Sequence, residues 1–195
     1  MKKISILILV LLLVLTMVSA CVELDPVTKI KYKLEDVTKA TTIKQTIEVL
    51  AGTELLSLQE DTYKVSGQSV TLTSQTTELN PDYPTDGVKH ITATETATLT
   101  LAQLHAKIPH KINLKMENLV EESYNEIVSG NTITYRMTIL PDHVSAFLDI
   151  SQQQAETVTD LKVTVVEYNE VITSFTLEYT STTGNTVTIV YSFTY

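Results

Sequence analysis

Four histidines (His90, His105, His110 and His143) and 23 carboxylates are the side chains of this 195-residue chain whose types suit acid–base or metal chemistry. His105-Ala-Lys-Ile-Pro-His110 brings two imidazoles close in sequence. The spacing is not the i, i+4 step that sets two metal ligands on one helix face, however, and Pro109 breaks the element between them. Solvated or locally capped histidines are expected, with His143 beside Asp142 serving a helix end. The acids gather as Glu60-Asp61, Glu121-Glu122, and Asp82 with Asp86. A calcium site needs about six to eight converging oxygens, usually on a glycine-bearing loop, and no such spacing occurs. A glycosidase pair of carboxylates would meet only in the fold, and solvated strand faces are the expected place of these acids. There is no nucleophile elbow and no phosphate-cradling glycine loop. The residues therefore point to a protein that is not an enzyme and carries no metal and no cofactor.

The one cysteine has a different context. Lys2 and Lys3 precede an apolar run from Ile4 to about Val18, and small residues follow up to Cys21. This is the layout of a secretory signal, and the run is short for a spanning helix, which takes about 20 apolar residues. Val18-Ser19-Ala20-Cys21 resembles the bacterial lipobox in all four positions. The resemblance implies cleavage between Ala20 and Cys21, a diacylglyceryl thioether on Cys21 with acyl chains such as palmitate, and a cell-membrane anchor facing the extracytoplasmic side. Each buried methylene is worth about 0.8 kcal/mol, so two or three chains hold where one does not. The other reading is an uncleaved signal anchor over residues 4–22. Either way Lys2 and Lys3 stay cytoplasmic and the remainder crosses the membrane.

The chain divides accordingly into a signal peptide over 1–20, a lipidated tether over 21–33 and one domain over 34–195. Losing residues 1–20 removes two of the 14 bases and no acid, which moves the net charge from −9 to −11. That balance argues against nucleic acid as a partner. The mean hydropathy of +0.09 belongs largely to the removed segment. With Cys21 consumed, the domain relies on core burial without a disulfide. In the tether Lys29, Lys31 and Lys33 alternate with Ile30 and Tyr32, which suits an ordinary strand or turn with solvated lysines, or ammonium groups facing anionic headgroups.

Beyond a short helical stretch near 34–40, period-two patterning with heavy Thr and Val usage predicts antiparallel sheet. Strands are expected over 41–50, 54–65, 69–79, 88–100, 119–128, 132–140, 160–168, 171–181 and 186–195, several joined by hairpin-sized turns such as Ser66-Gly67-Gln68 and Ser129-Gly130-Asn131. Short helices are expected near 101–107 and from 141 to about 148. In the strand over 88–100 every second residue from Thr92 to Thr100 is Thr, a solvent-facing row with weaker readings as a contact or O-glycosylated surface.

This order and the anchor are similar to the LolA/LppX-type lipoprotein fold, as architecture only. The resemblance implies a mainly β domain, a strongly bent antiparallel half-barrel sheet plugged by a few short helices and able to hold an acyl chain. A β-sandwich or a closed β-barrel is the competing fold. Two functions follow as expectations. One is a lipid or other apolar ligand bound by Tyr135, Met137, Phe147, Phe175 and Tyr191, which would equally serve as a closed core. The other is a structural or interaction lipoprotein presenting an acidic, Thr-rich sheet to a protein partner at the cell envelope.

Overall fold

The computed structural model describes residues 24–85 and 87–195, so the signal, Ala20, Cys21 and Asp86 lie outside the described residues. Chain order begins with α1 (Pro26–Glu35), a 3-10 turn over Asp36–Lys39, and the strands β1 (Thr42–Ala51), β2 (Glu54–Ser66), β3 (Ser69–Leu79) and β4 (His90–Thr100). Helix α2 (Leu101–His105) leads to β5 (Asn125–Ser129) and β6 (Thr132–Thr138). Helices α3 (Val144–Leu148) and α4 (Gln152–Ala155) precede the closing meander β7 (Val158–Tyr168), β8 (Val171–Ser181) and β9 (Thr186–Thr194).

Among the described residues the nine strands form one antiparallel sheet in the order β4-β3-β2-β1-β9-β8-β7-β6-β5. β4 and β5 are its two edges and do not pair, which sets aside both the closed barrel and the two-sheet sandwich. Two local meanders, β1–β4 and β5–β9, are joined by the pairing of β1 with β9, from Thr42 opposite Thr194 to Leu50 opposite Thr186. Tight turns explain the local order. Asn169 and Glu170 both take positive φ (48° and 68°), as a two-residue hairpin with the right-handed strand twist requires. Gly67 (φ 60°) and Gly130 (φ 59°) supply the same backbone at the β2–β3 and β5–β6 turns.

The register assigns one face to the core. Ile43 stands opposite Tyr63 and Phe193, Tyr191 opposite Phe175, and Val165 opposite Phe175 and Tyr135, all of them buried. Short helices cover this inner face. Thr100 with Gln103 and Ser151 with Gln154 form reciprocal capping boxes that start α2 and α4.

Three expectations change. Residues 26–33, read as tether, are helical: Asp25 caps the Thr28 amide, Pro26 sits at the first turn, and Val27, Ile30 and Leu34 are fully buried on one side. The domain thus begins by residue 26. Lys29, Lys31 and Lys33 consequently do not share a strand face, and Lys33 turns inward to pair with buried Glu167, whose other oxygen accepts the Tyr135 hydroxyl at 2.9 Å. The strand expected over 119–128 contracts to β5, with only an isolated bridge between Leu119 and Ile139 before it. Helix α4 was not anticipated.

Candidate functional site

A half-open cleft of about 1040 Å³ lies on the inner face of the sheet. Leu177 and Tyr179 of β8 with Ile189 and Tyr191 of β9 form its floor, because these four occupy the inward parity of neighbouring strands. One wall is α3 and the segment after it, through Phe147, Leu148 and Ile150. The other is α2 and the segment that follows, through Ala102, Ala106, Ile108 and Ile112. Pro109 keeps the helix from continuing past α2, and residues 106–111 follow it as turns and bends that line this side of the cleft. The volume reaches the upper end of the range usual for small-molecule sites, about 300–1,000 Å³, and the lining mixes an apolar floor with polar and charged groups on the walls.

Of the five residues expected to line an apolar site, Phe147 and Tyr191 do so. Tyr135, Met137 and Phe175 lie elsewhere in the filled core, at 8%, 2% and 0% exposure, and are not brought to the cleft. Helix α1 fills that side, so the volume left open sits at the other end of β8 and β9.

Tyr191 links the cleft to a polar cluster under the sheet. Its hydroxyl donates to the Lys107 carbonyl at 3.3 Å and accepts from Gln45 Nε2 at 2.8 Å. Beside it Asp61 Oδ2 accepts from Tyr63 at 3.0 Å and from Gln59 Nε2 at 3.0 Å, while Asp61 Oδ1 is buried without a partner. Burial and then the Asp61 charge push the Tyr191 phenol up to about 12, and the same two causes raise Tyr63 further. Asp61 is only 4% exposed, against the expected solvated strand face. Its shared parity with Gln59 and Tyr63 was the available signal.

The cleft also carries basic side chains. His105, Lys107, His110 and Lys111 line it, with Asp149 as the one carboxylate among the lining residues. The two imidazoles lie 5.4 Å apart, tilted by 51°. His110 Nδ1 is 3.2 Å from the Ile108 carbonyl, which can only accept, so this nitrogen donates. His105 Nε2 is buried with no partner, and burial, then His110 and Lys111, hold this imidazole below the ordinary 6.5. No group of three or more His, Cys, Asp or Glu able to hold a metal occurs among the described residues. The remaining histidines stand apart: His90 Nε2 contacts the Leu55 carbonyl at 3.0 Å, and His143 precedes α3 without a side-chain cap bond.

A smaller cavity of about 310 Å³ lies between β3 and β4, lined by Glu78 and Glu95 among others. The threonine row of β4 is exposed throughout from Thr92 to Thr98, as expected of a solvent-facing row, and Thr92 meets Thr77 across the strands at 2.9 Å.

These features define an open-sheet β protein with one cleft between sheet and short helices. No protein-family model and no curated protein sequence matches the chain. Among solved structures, a redesigned β-barrel, mFAP1, bound to DFHBI is similar at 12% identity with a TM-score of 0.22, covering 82% of this chain and 98% of that one. A fusion DH domain is similar at 11% identity with a TM-score of 0.17, covering 85% and 75%. Scores this low carry no argument about fold or function.

Proposed function

We propose that this is a non-catalytic lipoprotein, anchored through Cys21 to the extracytoplasmic side of the cell membrane, that binds a lipid or other apolar ligand in the cleft between β8–β9 and α2–α3. The single observation that carries the binding reading is the cleft itself: a half-open space of about 1040 Å³ persists where the inward residues could have closed into core. A concave space of this size beside a well-filled core suits an occupant. The anchor rests on the Val18–Cys21 motif. It would place the domain against the bilayer, since α1 begins only five residues beyond the lipidated position.

Native mass spectrometry of protein purified from its own host tests both parts. A mass increment matching an acylated Cys21 together with a second, dissociable apolar ligand is the expected result. Protein that is acylated but empty, and that takes up no lipid on exposure to host membranes, refutes the binding role.

The second reading, an interaction lipoprotein, has its own observation in β4. Residues 91–98 are exposed on both faces at an open sheet edge, with nothing of the domain packed over them. A protein that captures an envelope protein through β4 and loses it on substitution of the edge would favour this reading.

A further inference from the structure

We propose that the occupant of the cleft is a single-chain amphiphile with an anionic head, its tail on the apolar floor and its head held by Lys107, His110 and Lys111. The proposal rests on the binding reading above and adds the ligand's chemistry. The charge of the wall is the reason. The chain as a whole is strongly acidic, at −9, yet residues 105–111 place two lysines and two histidines on one side of this cleft.

Neither Lys107 nor Lys111 pairs with a carboxylate among the described residues. Lys33, Lys39, Lys89, Lys115 and Lys162 each do, and of the other lysines without such a pair, Lys31, Lys44 and Lys64 do not line the cleft. An unpaired cation pair at the wall of a cleft with an apolar floor complements a charge of opposite sign arriving with the ligand. Charge-assisted bonds to a carboxylate or phosphate head are roughly twice as strong as neutral ones. His105 adds a second reason, since its Nε2 is shielded from solvent and unpartnered at this wall. A buried polar atom without a partner is a cost that an acceptor oxygen of the ligand reaching Nε2 removes. The wall is also fixed in place: the Tyr191 hydroxyl holds the Lys107 carbonyl, and the His110 ring is tied to the backbone of Ile108. The apolar floor of Leu177 and Ile189, continued by Phe147, lies beside these groups and suits a hydrocarbon tail.

The test uses the full chain in nanodiscs of zwitterionic lipid and two photo-crosslinking probes, a diazirine-bearing palmitic acid and the primary alcohol of the same chain. Cross-linked peptides are mapped by mass spectrometry. The acid should label the β8, β9 and 105–112 peptides at a half-saturating concentration about tenfold below that of the alcohol, the ratio for about 1.4 kcal/mol. In the Lys107→Gln/His110→Gln/Lys111→Gln variant the acid's half-saturation should rise about tenfold and the alcohol's should stay put. Lys107 and Lys111 are exposed, and the unchanged alcohol labelling reports an intact cleft. Equal labelling by acid and alcohol, in parent and variant alike, overturns the headgroup assignment and leaves cleft binding standing. No labelling of the cleft by either probe overturns the binding reading as well. Displacement of the acid by inorganic phosphate alone would show a free-anion site and overturn the amphiphile.

Discussion

The contact that fastens α1 to the sheet can be measured. Lys33 Nζ and the Tyr135 hydroxyl each bind one oxygen of Glu167, whose side chain is 3% exposed, whereas that of Lys33 is 34% exposed. Breaking a fully buried pair costs about 3–5 kcal/mol and an exposed one about 0–1 kcal/mol, so this one-sided burial places Lys33→Met at about 2 kcal/mol. Methionine keeps the apolar stem, and the loss therefore reports the ammonium group. Glu167→Leu lets Lys33 reach solvent but orphans the Tyr135 hydroxyl, a loss of about 1–2 kcal/mol. In the double variant no buried charge remains unpaired, so the two losses should not add, and a coupling of about 1–2 kcal/mol is expected. Urea unfolding followed by tyrosine emission is the assay, since the chain has nine Tyr and no Trp. A coupling below about 0.5 kcal/mol with an unchanged denaturant slope would refute the reasoning, because it would mean that the pair is solvated in solution.

Asp61→Asn should lower the pH at which Tyr63 and Tyr191 ionise, because the carboxylate that disfavours both phenolates is gone; ultraviolet difference absorbance of the phenolates reads this, and unchanged titration would place Asp61 outside the cluster. His105 is held below 6.5 in the folded chain, so the unfolded state binds more protons between its folded value and 6.5. Stability should therefore rise with pH across that window and level off above it, and His105→Gln should remove this part of the slope in urea melts taken at several pH values; an identical slope in the variant counts against it. At the open edge, Ile91-Thr-Ala-Thr-Glu95-Thr-Ala-Thr-Leu99 reads nearly the same in both directions, so two antiparallel copies would set Glu95 against Glu95. Glu95→Gln should raise self-association in sedimentation velocity, and a variant as monodisperse as the parent would show that this charge does not guard the edge.

Alternation of Thr and Val with hairpin turns made the meander legible, and β3 and β8 match the expected bounds to the residue. The join between β1 and β9 was not legible, because nothing local in residues 42–50 specifies a partner at 186–194. Helix α1 was hidden by Lys29, Lys31 and Lys33, whose alternation with Ile30 and Tyr32 imitates a strand. Asp25-Pro26 and the spacing of Val27, Ile30 and Leu34 were the truer signals. For the site, inward parity identified Tyr191, and the start at Pro141 led to Phe147. Which inward residues face a void rather than one another depends on where α1 docks, a tertiary fact. The basic wall was read as two histidines in isolation, because the cleft that unites them with Lys107 and Lys111 exists only once the segment after α2 packs opposite β8, β9 and α3.

The β1–β9 seam also orders events in time. Each half of the sheet is built from sequence neighbours, but the seam joins Thr42 to Thr194 across almost the whole domain. Local hairpins form within microseconds, whereas the seam must wait for the last strand and bear the loop-closure entropy of everything between. Until β9 arrives, β1 is a bare edge at what becomes the middle of the sheet. Lys44 and Glu48, on its outward parity, keep that waiting edge charged and discourage a foreign strand from taking the place of β9.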